Sequence, residues 1–112
     1  SAPMEMLSKL EELVLISVLK LKDEAYGTSI YTHIVGLTGR EVTVSNVYFP
    51  LERMVRRGFL LAFQGEPTPK RGGMAKRYYR ITKGGLAALQ ENRAVNLAAW
   101  RGVAALIKRA EV

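Results

Sequence analysis

Arg53, Arg56, Arg57, Lys70, Arg71, Lys76, Arg77 and Arg80 place eight of the chain's 17 basic residues in one stretch, offset only by Glu52 just ahead of it and Glu66 inside it. Residues 52–80 carry a net charge of +6, against +7 for all 112 residues. Guanidinium and ammonium groups gathered in this way bind polyanions, and a pI near 10 points to nucleic acid or an anionic membrane surface. Just upstream lie Ser45, Asn46, Tyr48 and Phe49. An Asn amide can pair bidentately with an adenine edge, and an apolar ring can touch a thymine methyl. A short polar and aromatic segment beside a cationic one suits a surface on which one element reads bases and another grips phosphates.

Other chemistries are thinly represented. The chain has no cysteine, which removes disulfides, thiolate nucleophiles and cysteine-based zinc sites, and fits a reducing cytoplasm. His33 is the sole histidine, so neither a His-based metal site nor a His–Cys pair can be assembled, and it reads as a helix-face residue. Glu11-Glu12 and Asp23-Glu24 are adjacent acids that point in different directions, not a facing acid/base pair. Gly72-Gly73 lacks the surrounding pattern of a phosphate-binding loop. No metal, cofactor or catalytic constellation is expected, and the chain does not read as an enzyme. The longest apolar run, residues 13–19, is interrupted by Ser17 and falls short of the roughly 20 residues a membrane span needs. No basic segment precedes it, which argues against a signal peptide.

These residues need elements to hold them. Hydrophobic content of 48% over 112 residues predicts one domain with a packed core. Helical spacing of Leu7, Leu10, Leu13, Val14, Val18 and Leu21 predicts a helix over 4–22, broadened by Leu15, Ile16 and Leu19. Thr28 or Ser29 is expected to cap a second helix running to about Val35, with Ile30, Ile34 and Leu37 inward and Gly36 and Gly39 breaking it. Thr43-Val44 reads as a brief strand. Ser45 is the expected N-cap of a third helix to Arg57, with Val47, Leu51, Met54 and Val55 toward the core, a kink at Pro50 and Gly58 beyond its end. Residues 59–64 and 76–81 read as two strands around a Gly/Pro-rich loop, and Thr82 as the cap of a last helix to about Ala110.

The order helix, helix, helix, strand, loop, strand, helix is that of a mainly α (α+β) winged helix-turn-helix over residues 4–82, followed by one long helix over 83–112. A 28-residue helix is about 42 Å long, more than a small domain is wide. Its apolar stripe runs through Leu86, Leu89, Leu97, Trp100, Ala104 and Ile107. The head cannot cover all of this, which marks the helix as a dimerisation arm.

At this point the residues resemble the PadR-like transcriptional regulators over nearly the whole chain. The carriers are Tyr26-Gly27, then Tyr48, Leu51, Arg53 and Met54, then Gly58-Phe59-Leu60, and above all Gly72-Gly73-Met74-Ala75-Lys76-Arg77-Tyr78-Tyr79-Arg80-Ile81-Thr82, which looks like the family's wing return strand and Thr cap. A single helix after the wing is similar to the short subclass. That resemblance implies a dimeric repressor, and an interface at which some members hold flat hydrophobic compounds between aromatic residues. Two features depart from the family pattern. Ser45-Asn46 stands where Gly and a small residue or Thr are common, and Phe49 separates Tyr48 from Pro50, so DNA specificity does not carry over.

The expected reading is a homodimeric DNA-binding regulator on a pseudo-palindromic double-stranded operator. Ser45, Asn46 and Phe49 are expected at base edges; alternatively Ser45 only caps and Phe49 only packs. Tyr48 is expected to turn its ring inward and its hydroxyl toward phosphate. Arg53 is expected at phosphate or on a merely solvated face with Arg56 and Arg57. Lys70, Arg71, Lys76 and Arg77 are expected as the wing's phosphate contacts; alternatively they are a solvated charge cluster. Tyr78 and Tyr79 alternate, one in the core and one outside. Trp100, with Leu97 and Ala104, is either a dimer-core anchor or a platform for a planar hydrophobic effector. Two rivals remain: a winged-helix adaptor for proteins, which does not need a basic wing, and a nucleic-acid binder without sequence preference.

Overall fold

Ser8 opens the first helix with a reciprocal pair of hydrogen bonds. Its Oγ accepts from the Glu11 N–H at 3.1 Å, and its own N–H donates to Glu11 Oε1 at 2.8 Å. The computed structural model describes residues 6–40, 42–66 and 75–111. Within them α1 spans Lys9–Leu21, α2 Gly27–Thr38, α3 Val44–Arg56, β1 Leu60–Gln64, β2 Arg77–Ile81, α4 Lys83–Trp100 and α5 Val103–Ala110. A single 3-10 turn, Lys22–Glu24, links α1 to α2.

The boundaries depart from the sequence reading where capping chemistry competes with hydrophobic spacing. Residues 6–8 are not helical, because Ser8 ends the extended entry and starts α1. Thr43, not Ser45, caps α3: its Oγ1 accepts from the Asn46 N–H, and Val44 is already helical, not strand. Helix α2 begins at Gly27, where Ser29 Oγ accepts from the Tyr26 N–H at 3.0 Å. It runs through Gly36 to Thr38, and Leu37, expected inward, is exposed. Helix α3 continues through Pro50.

The expected last helix is two helices. Gly102 sits in the left-handed region at φ +76° and separates α4 from α5. Helical periodicity persists across this point, so the apolar pattern alone does not show the interruption. Glycine is the residue that adopts this geometry without a Cβ penalty.

The core lies in the head. Val14, Leu15 and Val18 of α1, Ile30 and Ile34 of α2, and Val47, Leu51 and Met54 of α3 close over Leu60 and Tyr79 of the sheet. The two strands are antiparallel, with Leu60 opposite Ile81 and Gln64 opposite Arg77. The period of two sends Leu60 and Tyr79 inward, while Leu61, Phe63 and Arg80 stay exposed. Helix α4 docks on α1 through buried Glu12, whose Oε2 accepts from Asn92 Nδ2 and, at 2.8 Å, from Asn96 Nδ2. Beyond that latch the helices leave the head, and the longest dimension reaches 58 Å.

Thr82 joins wing to arm. Its Oγ1 donates to the Gly58 carbonyl at 2.6 Å and accepts from the Gly85 N–H at 3.1 Å. Thr82→Val, which keeps the shape and removes both bonds, is expected to lower stability by about 1–2 kcal/mol. Urea denaturation measures it; an unchanged midpoint would show that the cap is not needed.

Candidate nucleic-acid interface

The first turns of α3 stand out from the head with Ser45, Asn46 and Phe49 exposed, and the Phe49 ring is 68% accessible. The opposite side of the helix fills the core with Val47, Leu51 and Met54. Tyr48 is half-exposed, and its ring lies where a side chain on Gly27 would stand. The missing side chain of Gly27 at the head of α2 therefore leaves room for Tyr48.

Two carboxylates fix α3 from either side. On one, buried Glu11 of α1 takes Arg53 Nε at 2.9 Å and lies 3.8 Å from Arg57 Nη1. On the other, Glu52 takes Arg77 of β2 in a two-pronged pair, Nη2 at 2.9 Å and Nε at 3.2 Å, and accepts from the Tyr79 hydroxyl at 2.7 Å. Burial pushes both carboxyls up. The hydrogen bonds from Arg53 and the Ser8 N–H to Glu11, and from Arg77 and Tyr79 to Glu52, more than offset it, so both lie below the ordinary value of 4.5. Burial, aided by the bond to Glu52, pushes the Tyr79 phenol up to about 12. Its hydrogen bonds to Glu52 and to the Tyr79 hydroxyl raise the Arg77 guanidinium further.

The wing's cations are engaged unequally. Lys76 Nζ rests over the Tyr26 ring at 3.5 Å, Tyr26 meets Tyr78 edge-on at 5.5 Å, Tyr78 stacks on Phe63 at 5.9 Å, and Arg80 covers Phe63 at 5.0 Å. Of the two tyrosines expected to alternate, Tyr79 is the core residue and Tyr78 the half-buried outer one. Lys70 and Arg71 lie outside the described residues. Arg53 and Arg77 sit in ion pairs with half-exposed side chains, so each holds α3 whatever else it touches. Sequence reasoning missed Glu11 and Glu52 as their partners. The available signal was thin: Glu52 is one of the two acids of the basic stretch, and Glu11 stands three residues after a capping serine.

At the other end, Trp100 and Leu97 come together in an apolar groove of about 670 Å³ between α1 and α4, with Ile16, Leu19, Leu86 and Leu89. Ala104, expected beside them, lies on α5 beyond the break and outside this groove. His33 is not a bare helix-face residue. Its Nδ1 lies 2.7 Å from Oγ of fully buried Ser17, which ties α2 to α1.

The carboxylate pairs give stability a pH signature. Glu11 and Glu52, with lowered pKa, contribute stability that is present above the ordinary carboxylate value and lost as pH falls through their folded values. Tyr79, raised from 10.0 to about 12, contributes stability present below pH 10 and lost as pH rises toward about 12. Denaturation followed against pH should show Glu52→Gln shrinking the acid-side loss and Tyr79→Phe the alkaline-side loss. Profiles parallel to the wild type would remove these groups from the linkage.

Comparison with known proteins agrees with this geometry. Residues 15–91 match the model of the transcriptional regulator PadR-like family. No curated protein sequence matches the chain. Among solved structures, a transcriptional regulator from Thermoplasma acidophilum superposes with a TM-score of 0.70 at 20% identity, over 88% of this chain and 93% of its own. A PadR family regulator from Clostridium difficile gives 0.66 at 19% identity, over 94% and 100%, and one from Eggerthella lenta 0.66 at 25%, over 85% and 80%. Among the described residues no helix is long and apolar enough to cross a membrane. With the family model matching most of the chain and the winged head, basic return strand and following arm all in place, the protein belongs to the PadR-like family of transcriptional regulators.

Proposed function

We propose that the chain is a homodimeric repressor that binds a pseudo-palindromic operator through α3 and the wing of each copy, and that a planar hydrophobic effector at the dimer interface releases it. The observation that carries the reading is the pairing of an exposed reading edge, Ser45, Asn46 and Phe49, with a helix tied by ion pairs to α1 through Arg53 and to β2 through Glu52. Such a helix presents its side chains in a fixed register, which base-edge recognition requires. Tyr48 and the wing cations Lys70, Arg71, Lys76 and Arg77 serve the backbone on this reading, Arg53 supports the helix and borders the same face, and the field of +7 charges supplies sequence-independent attraction.

The second copy is supported by what α4 and α5 leave open. Val95, Leu97, Trp100, Leu106 and Ile107 are 46–61% exposed. A set of large apolar side chains on one arm is the usual mark of an interface. Trp100 and Leu97 at the mouth of the groove are the effector platform, and Ala104 borders it only through the second copy. The repressor sign follows the family resemblance.

Selection of bound duplexes from a random library should enrich an inverted repeat whose half-sites lie about one turn apart, roughly 34–36 Å. Asn46→Ala should flatten one position in each half-site and cost roughly 1–3 kcal/mol on the selected operator, with little change on scrambled DNA. Equal losses on both would mean that Asn46 does not read sequence. Sedimentation should give about twice the 12.5 kDa chain mass, and Leu97→Glu should reduce it to one. A panel of planar aromatic compounds should quench the single tryptophan; no quenching by any of them would leave Trp100 a packing residue.

A further inference from the structure

The sheet has one occupied edge and one open edge. On the far side of β2, the Tyr79 N–H donates to the Ala25 carbonyl at 2.9 Å, and Tyr26 bridges to Tyr78. On the near side, β1 has no neighbouring strand among the described residues. The ladder decides which backbone groups are left over. The Gly65 N–H donates to the Lys76 carbonyl at 2.8 Å, and the Thr82 N–H to the Phe59 carbonyl at 3.1 Å. Antiparallel pairs alternate between bonded and unbonded. Leu61 and Phe63 therefore bond to β2, and the N–H and C=O groups of Ala62 and Gln64 point out of the sheet. Exposed edges are commonly blunted by a charge, a proline or a bulge. The five residues of β1 are Leu60-Leu61-Ala62-Phe63-Gln64, with neither charge nor proline, and their register with β2 runs without interruption.

The outer face beside this edge is apolar, with Leu61 56% and Phe63 37% exposed. Arg80 leans across it from β2. Its guanidinium lies 5.0 Å from the Phe63 ring and has no ion pair among the described residues. A row of free backbone donors and acceptors flanked by apolar side chains suits an extended peptide. Charge selects which one. A second copy of this chain would bring together two heads that each carry +6 over residues 52–80, and these repel. An acidic strand meets Arg80 and the surrounding field with the opposite sign. We propose that β1 is a docking edge at which an extended acidic segment of another protein adds as a strand. Ala62 and Gln64 supply the backbone bonds, Leu61 and Phe63 take an apolar side chain, and Arg80 takes a carboxylate. The edge shares no residue with Ser45, Asn46 and Phe49, and the inference does not rest on the operator or the effector.

The probe is a short capped peptide that alternates glutamate and valine, with lysine in place of glutamate as its control. On the intact chain the acidic peptide should slow amide hydrogen exchange at Ala62 and Gln64. Leu61 and Phe63, already bonded within the sheet, should change little. Ala62→Pro removes an N–H that the fold does not use, so the chain should stay folded while affinity falls roughly tenfold. Arg80→Glu should weaken the acidic peptide roughly fivefold and strengthen the lysine peptide; it carries the test if Ala62→Pro does not fold. Binding that both variants leave at the wild-type level would overturn the docking edge. So would a lysine peptide that binds the wild-type chain as tightly as the acidic one, or no slowing at Ala62 and Gln64. Slowed exchange at these two amides that appears without peptide and grows with protein concentration would overturn the proposal in favour of a second copy. The same protection brought by a random-sequence duplex alone would overturn it in favour of DNA.

Discussion

The position of the third helix depends on a phenol buried beneath it. Tyr79 is among the largest fully enclosed side chains, and each of its polar groups is satisfied by a different part of the head. Its N–H donates to the Ala25 carbonyl at 2.9 Å, and its hydroxyl donates to Glu52 at 2.7 Å. A buried hydroxyl without a partner costs about 1–3 kcal/mol, and here it donates to Glu52 and accepts from Arg77 Nε at 3.3 Å. Glu52, itself part-exposed, also takes the two-pronged pair from Arg77. Strand, turn and helix are thus placed by one mutually dependent set of contacts, and the Glu11–Arg53 pair closes the other flank.

This arrangement gives the basic stretch two kinds of work. Attraction at long range depends on net charge, which ion pairing inside the stretch leaves unaltered. Contact at short range depends on which charged ends are available, and there Arg53 and Arg77 differ from Lys76. The lysine holds its place by stacking on Tyr26, which costs none of its charge. Positive charge read from a sequence therefore describes the field and does not show which cations are already ion-paired.

The element order as far as α4, the buried faces of α1 and α3 and the two strands of the wing were legible in the sequence, because each follows a local periodicity or a short-range cap such as Thr82. Ile30 and Ile34 were legible for the same reason, and Leu37 was not, since it follows them in phase but falls on the last turn of α2 beside solvent. The exact start of α3 was not legible: Thr43 and Ser45 are both good caps, and only the backbone decides between them. Long-range polar pairs were hidden altogether. Glu11 and Arg53 are 42 residues apart and Glu52 and Arg77 are 25 apart, and no pattern in composition connects them. Of the candidate reading edge, the exposure of Asn46 and Phe49 was legible from their place opposite Val47 and Leu51.

Gly102 changes how the end of the chain can vary. In an unbroken helix each added or deleted residue rotates everything beyond it by about 100°, because 3.6 residues complete a turn. Apolar positions on either side are then locked in phase. At a left-handed glycine that phase is reset, and the direction of α5 is set by a few dihedral angles instead of by the count of residues before it. Leu97 and Trp100 on one side and Leu106 and Ile107 on the other are therefore two separate alignments, not one stripe. Length changes at residues 101–102 alter the angle between them without scrambling either, so the terminal segment can diverge in direction while α4 keeps its seat on the head.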